Sequence, residues 1–196
     1  MYQRLPSWVL GFHGTDEETA QKILNDPKAH LDNSANEYDW LGKGIYFWEN
    51  DPDRALEFTV ERLKWKKITD KKPAVIGAVI DLGLCLNLFD QPALLEIKDA
   101  FKVLRDDLKV LGLKVPENEN AGENKDKLYR YRDKAVISRL HLLRAQAALP
   151  PYDTVRSGFQ EGKPAYPGAG FRSKNHIQIS VCDPKFIKGY FLPRKV

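Results

Sequence analysis

The strongest constraint on the fold is a change of periodicity along the chain. Between about residues 91 and 149, apolar side chains recur at the spacing of one helix face. The first of two expected helices carries Leu94, Ile97, Phe101, Leu104, Leu108 and Leu111. The second carries Tyr131, Ala135, Ile137, Leu140, Leu143 and Ala147, and prolines end it. A polar linker at residues 113–127 separates the two helices.

The segments on both sides of this helical region are short apolar runs that favour strands. These runs cover residues 9–12, 44–48, 74–82, 176–181 and 187–192. Residues 152–173 are rich in Gly and Pro, so we expect a long loop there. The pattern predicts a single α+β domain over residues 1–196, with a helical insertion at about residues 91–149.

Two further helices are expected between the early strands. Thr15 or Asp16 is a suitable N-cap for a helix that runs to about Leu24. Asp51 begins another helix, with proline in its first turn, that continues to about Lys66.

Composition excludes several classes of protein. Hydrophobic residues make up 42% and charged residues 30% of the 196 positions, which is ordinary for a globular domain. No run approaches the roughly 20 apolar residues that cross a bilayer, and the first ten residues lack a secretory signal pattern. We therefore expect a cytoplasmic protein with no membrane partner. The four histidines and two cysteines show no metal-ligand spacing, so no metal is expected.

Positive charge is concentrated in the second helix of the insertion and just before it. Residues 125–144 contain seven basic residues against two acidic ones. The basic residues are Lys125, Lys127, Arg130, Arg132, Lys134, Arg139 and Arg144. Such a run is either a solvated helix face or a surface that attracts nucleic acid or an acidic protein.

The first motif with candidate binding chemistry is Gly-Phe-His-Gly-Thr at residues 11–15, at the end of the first expected strand. The imidazole of His13 and the hydroxyl of Thr15 can exchange hydrogen bonds with a ligand. Gly14 permits close approach to the backbone. On its own, this motif is more typical of a structural histidine.

The second motif is Leu-Gly-Lys-Gly-Ile-Tyr-Phe at residues 41–47. It has neither the spacing of a dinucleotide fingerprint nor that of a phosphate-binding loop. Tyr46 could form one wall of a pocket for a flat ring, or it could be a core residue. Alternation along the strand places Phe47 in the core and Tyr46 and Trp48 on the opposite face.

Together the two motifs resemble the catalytic domain of the poly(ADP-ribose) polymerases, in the diphtheria-toxin-like branch of the ADP-ribosyltransferases. The resemblance covers about residues 9–58 and, more weakly, residues 175–192. It implies a split antiparallel β-sheet core that binds NAD as a substrate.

The resemblance also implies roles for individual residues. His13 would hydrogen-bond a ribose of NAD, Gly14 would offer backbone groups to the nicotinamide amide, and Tyr46 would stack on the nicotinamide ring. Thr15 and Gly44 belong to the same NAD-binding motifs.

The sequence departs from the family pattern at two positions. The family places a second aromatic residue on the helix after the Tyr46 motif, and Phe58 is the best substitute. It also places a glutamate near the start of a C-terminal strand, where Gln178 stands in this chain. Glutamine can hold a ribose hydroxyl, but it supplies no charge and cannot act as a base. Glu161, in the Gly/Pro-rich loop, either supplies the missing carboxylate or is an exposed loop residue.

The resemblance therefore implies a mono-ADP-ribosyltransferase, acting as a toxin or defence effector, that modifies a protein or a nucleic acid. Two alternatives stay open, since fold analogy does not choose among them. One is an NAD glycohydrolase, in which water is the acceptor. The other is a catalytically inactive module that binds NAD, ADP-ribose or nucleic acid, which Gln178 favours.

Overall fold

The structure is a computed structural model that describes residues 8–34, 36, 39–121 and 124–194. Within these residues, the first half of the chain forms β1 (Trp8–Asp16), α1 (Glu17–Asn25), β2 (Ile45–Glu49), α2 (Pro52–Trp65), β3 (Pro73–Asp81) and β4 (Cys85–Asn87). The second half forms α3 (Gln91–Val110), β5 (Asn118–Ala121), β6 (Asn124–Arg130), α4 (Tyr131–Gln146), β7 (Thr154–Phe159), β8 (His176–Val181) and β9 (Ile187–Phe191). No helix among the described residues is both long and apolar enough to cross a bilayer.

Seven of these strands form one mixed sheet in the order β4-β7-β8-β2-β1-β3-β9. The α+β class is therefore confirmed. The sheet is not wholly antiparallel as expected, because β4 and β7 run parallel. The chain between them passes through α3, a β5–β6 hairpin and α4, a crossover long enough to bring the next strand back in the same direction.

The seam between β1 and β2 is the shortest antiparallel pairing of the sheet. β1 pairs with β3 over its full length, from Trp8 to Asp16, but its register with β2 covers only Gly11 and Phe12. Just beyond this point, the imidazole of His13 bonds to the backbone carbonyl of Tyr46. At the centre of the sheet, a hydrogen bond from a side chain thus replaces the hydrogen bonds between the two backbones.

Helices cover both faces of the sheet. α1 packs on the face that carries Ile45 and Phe47. α2 packs on the opposite face against Phe12 and Trp48, and α3 and α4 pack beside it on the face of Tyr46. The predicted division of β2, with Phe47 in one core and its neighbours on the other face, is confirmed.

Several predicted elements are confirmed and others are corrected. Asp16 and Asp51 cap α1 and α2 through their side chains, as expected. β1 does not end before His13 but continues to Asp16, because β3 pairs with it throughout. The expected loop at residues 152–173 contains β7, which β4 and β8 hold from both sides. The polar linker at residues 113–127 contains most of the β5–β6 hairpin.

Gly14 lies where β1 presses against α2. A Cβ added at Gly14 would overlap the hydroxyl of Thr59 and the backbone carbonyl of Ala55. We expect Gly14→Ala to lower the free energy of unfolding by about 1–3 kcal/mol, the usual cost of overpacking, in urea denaturation. Gly189→Ala in β9 is the matched control, because nothing lies within 4 Å of its added Cβ. Equal stability of the two variants would contradict this packing role.

Candidate functional site

Three residues that are far apart in the sequence lie on three neighbouring strands. His13 is on β1, Tyr46 on β2 and Gln178 on β8, and these strands are adjacent in the sheet. Trp48 of β2 is the direct register partner of Gln178. The ring of His13 lies 5.8 Å from that of Phe47, on the face of the sheet opposite to the side chains of Tyr46 and Trp48. His13 joins the group through its bond to the Tyr46 backbone. The name central site is used below for His13, Tyr46, Trp48 and Gln178, with His176 on the same strand as Gln178.

His13 bridges the seam between β1 and β2. Its Nδ1 lies 2.7 Å from the carbonyl oxygen of Tyr46, and because a carbonyl only accepts, Nδ1 carries the proton. Burial lowers the pKa of His13 to about 4; the bond to Tyr46 opposes this shift, and the charge of Arg62 adds to it. The ring is therefore neutral at pH 7, and its Nε2 can accept a hydrogen bond from a hydroxyl group.

The Tyr46 side chain is fixed by its own loop. Its hydroxyl donates to the Gly42 carbonyl at 2.8 Å and accepts from the Leu41 amide at 2.9 Å. Burial, reinforced by the charge of Asp39, raises the pKa of the Tyr46 phenol far above its ordinary value. The half-buried ring is therefore a rigid wall, and its hydroxyl does not serve as an acid or a base.

Gln178 is held by a tryptophan from outside the sheet. Its Oε1 accepts a hydrogen bond from the indole N–H of Trp40 at 2.6 Å. Because an indole only donates, this contact determines which end of the amide is the oxygen. The amide nitrogen of Gln178 is left for other partners, so the side chain offers donors at the central site.

A row of five rings surrounds Gln178 on this face of the sheet. From one end to the other, the aromatic row consists of Trp40, Phe159, His176, Trp48 and Phe58. Neighbouring ring centroids lie between 5.0 and 6.1 Å apart. The guanidinium of Arg130 lies over Phe159 at 4.2 Å and over Trp40 at 5.1 Å. The insertion therefore contributes a cation to this face.

Two buried polar atoms in the aromatic row have no hydrogen-bond partner among the described residues. They are Nε1 of Trp48 and Nε2 of His176. The Nδ1 of His176 donates to the Lys174 carbonyl at 2.7 Å, so Nε2 is an acceptor, whereas the indole nitrogen is a donor. Buried polar groups are rarely left unsatisfied. The aromatic row therefore contains one unsatisfied donor and one unsatisfied acceptor on neighbouring rings.

Glu161 is held by a buried arginine. Arg54 of α2 is 6% exposed and donates to Glu161 at 2.8 Å, while Glu57 and Glu61 lie 3.3 and 3.7 Å from its other nitrogen. Lys174 pairs with the same two helix glutamates. The Glu161 side chain is only 12% exposed, so it is not a solvated loop residue. These charges tie the segment between β7 and β8 to α2.

The other predicted binding residues have clear packing contacts. Phe58, the expected second aromatic residue, packs against Trp48 with ring centroids 5.0 Å apart. A Cβ at Gly14 would overlap α2, and one at Gly44 would overlap β8. Thr15 is 4% exposed. Close packing therefore accounts for both glycines.

Most basic side chains of residues 125–144 are paired. The pairs are Arg130 with Asp133, Arg132 with Glu117, Arg139 with Asp107 and Arg144 with Glu96. Lys134 donates to a backbone carbonyl, and the side chain of Lys125 lies outside the described residues. The positive charge of this segment is thus largely neutralised, which weakens the sequence argument for a nucleic-acid partner.

The motifs of the sequence include His13, Tyr46 and Gln178. His176 flanks the Gly/Pro-rich loop, where it could contact a phosphate or a target, and its alternation with the apolar Ile177 places it on the same face as Gln178. No motif in the sequence points to Trp40, because Gln178, its hydrogen-bond partner, lies 138 positions away. Arg54 appeared as an ordinary charge on a helix surface.

Comparisons with known proteins assign no role to the central site. No family model, curated protein or solved structure matches the chain. The chemistry of the site therefore has to be inferred from its own contacts and from the sequence motifs.

His13 and His176 make stability depend on pH. Burial holds the pKa of each near 4, below the 6.5 of a free histidine, so between these values the unfolded chain binds more protons than the folded one. Their contribution to the free energy of unfolding should rise from pH 4 to 6.5 and then level off. Urea denaturation at a series of pH values should show a weaker rise for His176→Gln than for the parent. An unchanged slope in His176→Gln would rule out a buried neutral ring.

Proposed function

We propose that this protein is an NAD-dependent ADP-ribosyltransferase that transfers one ADP-ribose unit to a macromolecule. The proposal rests on the placement of His13, Tyr46 and Gln178 on adjacent strands, with the His13 imidazole bonded to the Tyr46 backbone. The motifs around His13 and Tyr46 resemble those of the poly(ADP-ribose) polymerases, and Gln178 stands at the position of that family's glutamate.

The reaction breaks the bond between nicotinamide and C1′ of the adjoining ribose. Nicotinamide leaves with the bonding electron pair, positive charge develops on the ribose ring, and a nucleophile of the acceptor attacks C1′ and loses a proton. Catalysis requires groups that hold the leaving ring and stabilise this charge. In the proposed site, Tyr46 is the rigid aromatic wall. The neutral His13 accepts a hydrogen bond from a ribose hydroxyl at its Nε2.

Negative charge for the transition state is proposed to come from Glu161 or from the acceptor. Gln178 supplies only a dipole. Glu161 follows Phe159 of the aromatic row by two residues, but Arg54 holds its carboxylate at 2.8 Å. Arg54 lies in the first turns of α2, where a helix N-terminus favours anions. The diphosphate of NAD could therefore exchange with Glu161 on Arg54 and release the carboxylate.

The second candidate function is a binding module that does not catalyse transfer. Two observations favour it: Gln178 carries no charge, and the carboxylate of Glu161 is neutralised by Arg54. The module would still use the unsatisfied donor and acceptor of the aromatic row to hold NAD or ADP-ribose. Turnover of NAD separates the two functions.

Removing the aromatic wall tests the NAD site. Tyr46→Ala should weaken NAD binding by about 1–2 kcal/mol, the scale of a lost aromatic contact and its area, measured by isothermal titration. Tyr46→Phe is the control, because it removes the bonds to Leu41 and Gly42 but keeps the ring. If a folded Tyr46→Ala protein binds NAD as tightly as the parent, the placement is wrong.

The source of negative charge is tested by substitutions at Glu161 and Gln178. With labelled NAD and a cell lysate, Glu161→Gln should lower turnover by a factor on the order of 100 or more. Gln178→Glu should keep NAD affinity and raise NAD hydrolysis. Glu57→Gln is the matched control, because it removes a different carboxylate from Arg54.

The distribution of label decides among the functions. Label on protein or nucleic acid supports transfer and identifies the acceptor, whereas label only in free ADP-ribose identifies an NAD glycohydrolase. Measurable NAD affinity without turnover identifies the binding module, and absence of NAD affinity contradicts the whole proposal. If neither Glu161→Gln nor Gln178→Ala changes turnover, both residue assignments are wrong.

A further inference from the structure

A second concave site lies between the insertion and the sheet. A cavity of about 400 Å³ opens between α3, α4 and the segment around Trp40, within the range of about 300–1,000 Å³ that is typical of small-molecule pockets. Its apolar walls come from Trp40, Leu88, Ile97, Phe101, Val136 and Ile137. This space is called the interhelical cavity below.

The interhelical cavity is open to solvent and is lined mainly by apolar side chains. The fully buried positions of α3 are the small residues Ala93 and Ala100, while Ile97 and Phe101 are only partly buried and line the cavity. Contiguous apolar surface that faces solvent is characteristic of binding sites. The shape and lining therefore favour an apolar ligand.

The charged residues at the opening of the cavity, its rim, indicate which class of ligand it can bind. Asp133 lines the cavity but is neutralised by Arg130 at 3.3 Å. Arg132 donates to a backbone carbonyl and lies 3.6 Å from Glu117. Lys98 lines the cavity, and the carboxylate on which its charge acts, that of Asp99, is already paired with Lys102. The rim therefore keeps an unpaired positive charge.

We propose that the interhelical cavity binds a small apolar molecule that carries one anionic group, such as a medium-chain carboxylate. The apolar part packs against Trp40, Ile97 and Phe101, and the anionic group lies at Lys98. The proposal depends on the cavity and its rim alone and holds whichever function the central site performs.

Trp40 links this cavity to the central site. Its ring forms one wall of the cavity, and its indole N–H donates to Gln178 at 2.6 Å. A ligand that packs against the ring therefore changes the surroundings of the N–H that orients Gln178. Occupancy of the cavity is transmitted to the central site through Trp40, by this hydrogen bond and by the contact of its ring with Phe159.

Ligand class and position are tested with 1-anilinonaphthalene-8-sulfonate, an apolar anion that fluoresces when it leaves water. We expect one bound probe per chain, displaced by decanoate and less readily by decylamine. Lys98→Gln should weaken probe binding about two- to fivefold, as expected for a partly solvated charge pair. Lys102→Gln, one turn further along α3 and paired with Asp99, should leave binding unchanged.

Filling the cavity gives a second test. Ile97→Trp should weaken probe binding roughly tenfold or more, because the pocket that buries the ligand is lost. Leu95→Trp, at a position of α3 that is 57% exposed, is the matched control. Equal probe binding in the parent, Lys98→Gln and Ile97→Trp, or no binding to the parent, would overturn the proposal.

A measurement on the parent protein covers the case in which Ile97→Trp does not fold. Decanoate should shift the indole N–H resonance of Trp40, assigned from its loss in Trp40→Phe, in a nitrogen–proton correlation spectrum. The resonance of Trp65, whose side chain is exposed, should not move. An unmoved Trp40 signal, or tighter binding of decylamine than of decanoate, contradicts the assignment.

Discussion

The hydrogen bond from the His13 imidazole to the Tyr46 carbonyl sets the geometry of the central site. It stands at the point where backbone pairing between β1 and β2 stops, so it holds the two strands at a fixed separation. The bond requires a proton on Nδ1, and burial keeps the ring neutral, so Nε2 is an acceptor. One contact thus determines the width of the seam and the polarity that a ligand meets there.

Buried cations determine where the surrounding segments lie. A guanidinium that leaves water needs several partners to offset its loss of hydration, and Arg54 finds them in glutamates of α2 and in Glu161. Arg156 of β7 is paired in a similar way. Its guanidinium donates two hydrogen bonds to the carboxylate of Glu49 in β2, at 2.5 and 3.0 Å. The segment that carries Glu161 is therefore positioned by charge, and Glu161 can act on a substrate only when Arg54 has another anion.

Local signals in the sequence predicted local structure, and long-range pairings escaped them. The caps at Asp16 and Asp51 and the alternation along β2 depend on neighbouring residues, so α1, α2 and the two faces of β2 could be predicted. β7 could not, because its polar strand is stabilised by β4, β8 and the distant Glu49. For the same reason, the motifs predicted three positions of the central site but not the aromatic row, whose rings come from five separate segments.

The orientation of Gln178 gives the central site a definite electrostatic character. Trp40 engages the amide oxygen, so the amide N–H groups are the part of Gln178 left for a ligand. Such donors suit a hydroxyl or phosphate oxygen, whereas an oxocarbenium ion requires negative charge or acceptors. In the proposed transferase, Gln178 would bind and orient the substrate but would not stabilise the developing cation. A transferase built on this fold must therefore bring its carboxylate from Glu161 or from the acceptor, and the Arg54 ion pair controls the first of these routes.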